Sequence, residues 1–517
     1  LYAHLAIINA NIKTMNPNQP TAQALAISGN KILKVGTNQE IQTLISPETT
    51  VMNLEGKTVL PGLIDTHIHV ADYGRCLMWL DLTSAKSIIE LQQLIKEKAK
   101  LTCPGRWIIG QGWSENRLKE QRAPTKEELD EAAPDNPVIL YREAAMICAA
   151  NTKAIQLAKI TQQTPTPPGG TIDKTVEGEL IGVFRDAAAN LIWQAVPEPT
   201  EDELLEAAAQ VCQKIFQAGI TSIVWLVISE SELSIIRRLH EQDRLLFRVN
   251  VVVPEVMLEK AVSELTSKCS EVLKVGGAFI VVDGYLDSKE AALQEPYSDD
   301  PANYGKMLLT AEALEASVKR ALSFGVQPVI HAMGDRAIDA VLTVIEQTKR
   351  RDVRFRIEQA AVLDKPLIKR LKAQNVIVTI QPKVITTEFS VWSAKQRLGN
   401  RARLLHPIKT LLDEGVMVAA GSDCPMEPLS ALLGMQELTN RPSYPEQRLG
   451  LDEAIRLYTL NAAYCSGEEV IKGSIEEGKL ADLTILAENL DAISADRISE
   501  VAVDFVVLDG KLLVVSP

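Results

Sequence analysis

The sequence predicts an α/β protein: a (β/α)8 barrel of the TIM type, joined to a small composite β-sandwich built from both termini. Three observations lead there. Through the middle of the chain, apolar strand-like runs alternate with amphipathic helical runs, the pattern of a parallel barrel. Eight such runs can be picked out: Leu63–Val70, Ile220–Leu226, Arg248–Val253, Phe279–Tyr285, Pro328–Met333, Phe355–Ala360, Val376–Gln381 and Val416–Asp423. Both ends of the chain instead read as short strands joined by turns. At 517 residues the chain has room for one large domain and a smaller one.

Taken in order, residues 1–60 form the first part of the sandwich. Leu5–Ala10 is its first strand. Ala24–Ile27 and Lys31–Val35 make a hairpin around Ser28-Gly29-Asn30. The barrel spans 61–470, with a long insertion over about 71–210 that has its own strand at Val138–Arg142 and a Pro/Gly-rich loop at Thr164–Gly170. Residues 471–517 complete the sandwich, with Asp509-Gly510 as a hairpin turn.

The 54 basic against 67 acidic residues give a net charge of −13, which disfavours nucleic acid as a partner. No apolar run is long enough to span a membrane and no signal peptide is evident. Seven scattered cysteines without a C-x-x-C read as buried thiols in a reducing compartment, so the expected location is the cytoplasm.

Chemistry concentrates in Pro61-Gly62-Leu63-Ile64-Asp65-Thr66-His67-Ile68-His69. Residues two apart on a strand face the same way, so both imidazoles project into one space, an arrangement suited to a divalent metal. Two core or surface histidines are the ordinary alternative. It loses weight because the chain has only six histidines and places two in one H-x-H. Active groups of such barrels sit at the C-terminal strand ends. There the fifth run offers His331 and the eighth offers Asp423. Three imidazoles and a carboxylate complete a ligand set for one ion, zinc first and iron second. The carboxylate can also act as a base. His4, His240 and His406 read as solvated or structural.

The His67/His69 motif, the His331 motif and Gly421-Ser422-Asp423-Cys424-Pro425 together resemble the amidohydrolase superfamily. Val59-Leu60-Pro61-Gly62 before the barrel and Gly473–Asp482 after it support this. More narrowly, the chain is similar to the YtcJ-like branch, which includes N-substituted formamide deformylases. The stretches in common are Gly110-Gln111-Gly112-Trp113, Ala123-Pro124-Thr125, Pro167-Pro168-Gly169-Gly170, Gly182-Val183-Phe184-Arg185 and Asp283-Gly284. The resemblance covers nearly the whole length. It implies metal-assisted hydrolysis of a non-peptide carbon–nitrogen bond in a small-molecule substrate, and a homodimer as the customary assembly.

Set against that family, several positions depart. Two-metal members carry a carboxylated lysine four residues before Asp-Gly, which is Phe279 here, and a histidine in a Glu-His-Ala motif that reads Glu358-Gln359-Ala360. Lys274, the nearest upstream lysine, is separated from the strand by Gly276-Gly277. The resemblance therefore implies one ion instead of two. Met146, Trp225 and Lys383 also stand where the branch usually has histidine, aspartate and histidine. The expected substrate-facing set is Met146, Trp225, Phe279, Asp283 and Gln359, a more apolar pocket suited to a bulkier or aromatic ligand. Asp335 and Asp283 are both candidates for the acid that protonates the leaving nitrogen, and the sequence does not choose between them. Two readings stay open: a mononuclear hydrolase acting on amides, cyclic amides or aminated heterocycles, and a catalytically inactive relative that binds a small molecule or serves as a scaffold. Selective retention of all four ligands of one ion favours the first.

Overall fold

Eight parallel strands lie side by side in chain order: Leu63–Ile68, Ile220–Leu226, Arg248–Pro254, Leu273–Val281, Gln327–Ala332, Arg356–Gln359, Ile377–Ile380 and Met417–Ala420. They form the barrel of the computed structural model, which describes residues 2–143, 147–265 and 271–515. The first and eighth strands meet through their extensions. Asp423 N–H donates to the His67 carbonyl at 2.8 Å and His69 N–H to that of Cys424 at 2.9 Å. Closure is thus made by the residues flanking the histidine pair. Alternate residues separate the two faces of the barrel wall. Val224, Leu226, Val252 and Val329 pack together inside, with Phe279 against them. Outside, helices cover the sheet. Asp335–Thr348, for example, buries Ala337, Ile338, Val341, Leu342 and Ile345, the three- and four-residue spacing of one helical face.

The fourth strand corrects an expectation. It runs from Leu273 to Val281, so Gly276-Gly277 lies inside it and Phe279 stands near its end. Both glycines admit close neighbours: a Cβ on Gly276 would lie 1.9 Å from Asn250 Oδ1, and one on Gly277 2.9 Å from a Val329 methyl. The pairing register slips between Val251 and Val252, opposite this pair. Lys274 consequently belongs to the strand, but at the opposite end of the barrel from His67. There it pairs with Glu468 at 3.1 Å.

The chain ends build two further sheets. One has strand order Lys31–Gly36, Ala24–Ser28, Leu5–Ile8, Thr50–Asn53. The other joins both termini: Thr58–Pro61 pairs antiparallel with Leu483–Leu486, which continues through Val503–Leu508 to Lys511–Val514. Asp509 and Gly510 both have positive φ, as their two-residue hairpin turn requires. One core unites these strands, with Leu5, Ile7, Ile12, Leu25 and Ile27 packed with Leu483, Ile485 and Val507. Each such side chain contributes about 1.5–3 kcal/mol by leaving water.

The chain divides into two compact units, of which Gly74–Ala207 is one. It holds a six-stranded mixed sheet that includes Ile108–Trp113, Val138–Arg142 and Leu180–Asp186. Helix Lys126–Ala132 starts at a Thr125/Glu128 capping box. Met146 lies outside the described residues. Among the described residues, no helix is long and apolar enough to cross a membrane.

Candidate metal centre

The centre is assembled on the seam where the barrel closes. Asp65, buried in the first strand, accepts with Oδ1 from the N–H groups of His67 (3.0 Å) and Ser422 (2.9 Å). Burial pushes its carboxyl up, against the pull of those donors. Gly421 lets the two segments touch, since a Cβ there would lie 2.5 Å from His67 N. Asp423 follows with φ +62°, a left-handed conformation that costs a non-glycine residue on the order of 1–3 kcal/mol and is typical of functional sites.

The strained turn brings Asp423 Oδ1 to 3.4 Å from His67 Nε2 and 3.6 Å from His69 Nε2. One ligand atom from each of these three residues lies within 4.8 Å of the others. His331, on the fifth strand, is not part of that tight group. Its imidazole is buried, and among the described residues neither ring nitrogen has a hydrogen-bond partner, the Asp283 carboxylate lying 3.9 Å from Nδ1. A buried polar atom left unpaired costs about 1–3 kcal/mol. Burial, and then the nearby His67, holds His331 down at about 4, so it is neutral and able to donate a lone pair. His69 is lowered too, by burial and then by His67. Burial opposes charge on His67, but the carboxylates of Glu358 and Asp423 outweigh it and lift it to about 10. Two neutral imidazoles, a third held between carboxylates and a carboxylate fit a divalent cation, which would also partner the orphaned His331 nitrogen.

Behind His67 stands a pair that the sequence reading left without a role. His67 Nδ1 lies 2.7 Å from Glu358 Oε2, and Glu358 is in contact with Arg356 two residues earlier on the same strand face. Both charged side chains are fully buried. Burial alone would raise Glu358, but Arg356 and His67 hold it down at about 2. Two opposite charges at alternate positions of a central barrel strand were the available signal.

The remaining expected residues fall out differently. Phe279 is at the site, its ring centroid 6.4 Å from that of His67 and nearly perpendicular to it. Gln359 is buried, in a left-handed conformation at φ +69°, with Oε1 unpartnered. Gln381 has a similar orphan Oε1, while its Nε2 donates to Glu358 at 3.3 Å. Trp225 does not belong to the pocket face. Its neighbours Val224 and Leu226 point inward with Phe279, and Trp225 is fully buried on the other side, donating from Nε1 to Glu232 at 3.1 Å. Period-two alternation explains the correction. Asp283 and Asp335 are committed to loops. Asp283 accepts from the N–H groups of Ala292, Met333 and Gly334 at 2.8–2.9 Å, and Asp335 from those of Gln294 and Arg336.

A residue absent from the expected set stands in their place. The Tyr285 ring lies 5.4 Å from that of His331, and the side chain is exposed among buried neighbours. Its carbonyl accepts from Glu290 and Ala291 N–H, both at 3.0 Å, which fixes the turn. Although Tyr285 as a whole is 45% exposed, the protein packed around its phenol, and then Asp423, push that group up to about 12, so it remains a hydrogen-bond donor. Two of the other histidines are structural: His4 Nε2 lies 3.0 Å from the Gly510 carbonyl, and buried His406 lies 2.7 Å from Glu388.

Residues 50–514 match the model of the amidohydrolase family. The chain is 31% identical over 521 residues to a putative amidohydrolase, YtcJ, of Bacillus subtilis (strain 168), covering 97% of this chain and 98% of that protein. It is 28% identical to the N-substituted formamide deformylase of Arthrobacter pascens, covering 98% of each. Among solved structures, an uncharacterized metal-dependent hydrolase from Pyrococcus furiosus superposes with a TM-score of 0.77 at 26% identity, covering 95% of this chain and 99% of that one.

Proposed function

The chain belongs to the amidohydrolase family and is a metal-dependent hydrolase of it; from that premise we propose that it cleaves a non-peptide carbon–nitrogen bond in a small molecule. In this reading His67, His69, His331 and Asp423 hold one divalent ion, zinc before iron. The observation that carries it is the convergence of two imidazoles on one Asp423 oxygen, beside a buried His331 whose nitrogens have no partner. With Phe279 and Gln359 at the positions of the second ion's ligands, one ion is the expected content. A bound ion supplies Lewis acidity, polarising the electrophilic carbon and acidifying water.

The chain's own residues supply the rest. Asp423 takes a proton from the attacking water. Since Asp283 and Asp335 are tied to backbone N–H groups, Asp423 is also the carboxyl that returns this proton to the departing nitrogen. The water oxygen ends on carbon and its hydrogens on nitrogen and the new acid or carbonyl product. Tyr285, with its phenol protonated, donates to the substrate oxygen as charge builds there. Phe279 gives the pocket an apolar wall, which favours an N-substituent of aromatic or branched type. The similarity to a formamide deformylase supports N-substituted formamides as the first candidates to try, before cyclic amides and aminated heterocycles.

The test is a panel of N-formyl, N-acyl, cyclic-amide and amino-heterocycle substrates, assayed with protein loaded with one equivalent of zinc or iron and with His67→Ala as control. Turnover of an amide that His67→Ala abolishes supports the reading. A fully loaded protein inert on every class would favour the catalytically inactive, ligand-binding alternative.

A further inference from the structure

We propose that Glu358, anchored by Arg356, is a positioning residue for the cation: it fixes the tautomer of His67 so that Nε2 presents a lone pair to the ion. This rests on the reading of His67 as a ligand. A neutral imidazole carries its proton on one nitrogen only, and the hydrogen bond made by the other side of the ring decides which. His67 Nδ1 faces Glu358 Oε2 at 2.7 Å. An ionised carboxylate only accepts, so when an entering cation displaces one proton from His67 the other stays on Nδ1, and Nε2 is left to donate electrons on the side where Asp423 lies.

Glu358 itself is kept from becoming a ligand. Oε1 meets the Arg356 guanidinium, and Oε2 is shared between His67 Nδ1 and Gln381 Nε2. Arg356 is in turn held by the Thr66 carbonyl at 2.6 Å and the Thr379 hydroxyl at 3.2 Å. Thr66 precedes His67, so the guanidinium grips the same strand that its partner carboxylate orients. Arg356 and Glu358 together bring no net charge to the core. They nonetheless place one negative group against the outer nitrogen of the ligand, which raises its basicity toward a cation. A merely structural ion pair would not need to end on a ring nitrogen of the histidine pair.

The experiment measures cation affinity in the metal-free full chain by competition with a chelator, using zinc as the probe. Loss of an outer partner of this kind lowers metal affinity by about 10- to 100-fold. Glu358→Gln and Glu358→Ala are expected to fall in that range, with near-ultraviolet circular dichroism showing that each remains folded. His67→Ala separates the two ideas. If it leaves affinity unchanged, His67 is no ligand and the parent reading fails. If it weakens binding while folded Glu358 variants bind as tightly as the natural chain, only the role of Glu358 fails. Should both Glu358 variants unfold, selective 15N-histidine labelling of the zinc-loaded natural chain decides. The six histidines give few enough signals to assign with His67→Ala. Hydrogen on Nδ1 with a bare Nε2 supports the proposal, and hydrogen on Nε2 overturns it.

Discussion

The two ends of the barrel treat buried polar groups in opposite ways. At the N-terminal end, charges are matched. Arg248 binds Asp482 through two hydrogen bonds, at 2.6 and 3.1 Å, and Lys472 reaches Glu468 at 2.9 Å and Ser222 at 2.8 Å. Asn250 Oδ1 and one Arg356 nitrogen are the exceptions. At the C-terminal end, His69 Nδ1, both nitrogens of His331, and the amide oxygens of Gln359 and Gln381 are buried with no hydrogen-bond partner among the described residues. Unpaired groups are tolerated where something else is meant to pair with them, and native proteins otherwise keep few. One end of the barrel therefore carries matched charges, and the other carries the candidate site, whose groups a ligand could pair.

The largest expected effect comes from breaking the matched end. Asp482→Asn removes the nearer carboxylate of buried Arg248 and leaves it only Asp509, at 3.2 Å; it should lower unfolding free energy by up to about 3–5 kcal/mol, while zinc affinity stays as it was. Urea titration and chelator competition on the same preparation check both halves. Asp423→Asn should do the reverse. Asparagine tolerates the left-handed backbone that Asp423 adopts, so the metal-free protein stays folded and loses only the share of stability that Asp423 lends to protonated His67. Cation affinity should nevertheless drop at least about tenfold, or about 1.4 kcal/mol. A collapse of the metal-free fold in this variant would end the contrast between the two ends.

A subtler effect concerns protons. His67 in the metal-free chain is lifted to about 10. Its stabilising contribution is full below its unfolded value of about 6.5 and is lost as pH rises through about 10. Glu358, held near 2, contributes fully above its unfolded value of about 4.5 and loses its contribution as pH falls through about 2. The pair thus supports the metal-free fold most strongly between the two unfolded values. At pH 8 an entering cation must displace a proton from His67, so uptake should release about one proton per ion. Calorimetry in two buffers of different ionisation enthalpy measures this, and uptake without release would contradict it. The smallest effects separate the two faces of the wall. Trp225→Phe should cost about 1–3 kcal/mol through the Glu232 oxygen it leaves and leave KM unchanged, whereas Phe279→Leu should move KM with little change in stability.

Much of this arrangement could be read from the chain. The H-x-H spacing placed two imidazoles on one strand face, and turn residues marked the hairpins at both ends. What could not be read lies between strands. The partnership of His67 and Glu358 joins residues nearly three hundred positions apart, and only the barrel brings them together. Which face Trp225 occupies depends on the phase of its strand, and a run buried on both faces hides that phase. The fourth strand began earlier than expected because paired glycines usually end a strand, whereas here they make room for Asn250 and Val329.

The sheet shared by the two ends of the chain has a consequence for biosynthesis. Thr58–Pro61 pairs with Leu483–Leu486, and Gly62 N–H donates to the Asp482 carbonyl at 2.8 Å, one residue before the strand that carries the histidines. A ribosome delivers the first partner more than four hundred residues ahead of the second. Until then Thr58–Pro61, which leads into the strand bearing His67, lacks this neighbour, and its apolar edge waits for a late arrival. The histidine pair is made early, yet the strand that leads into it is paired only by residues made much later.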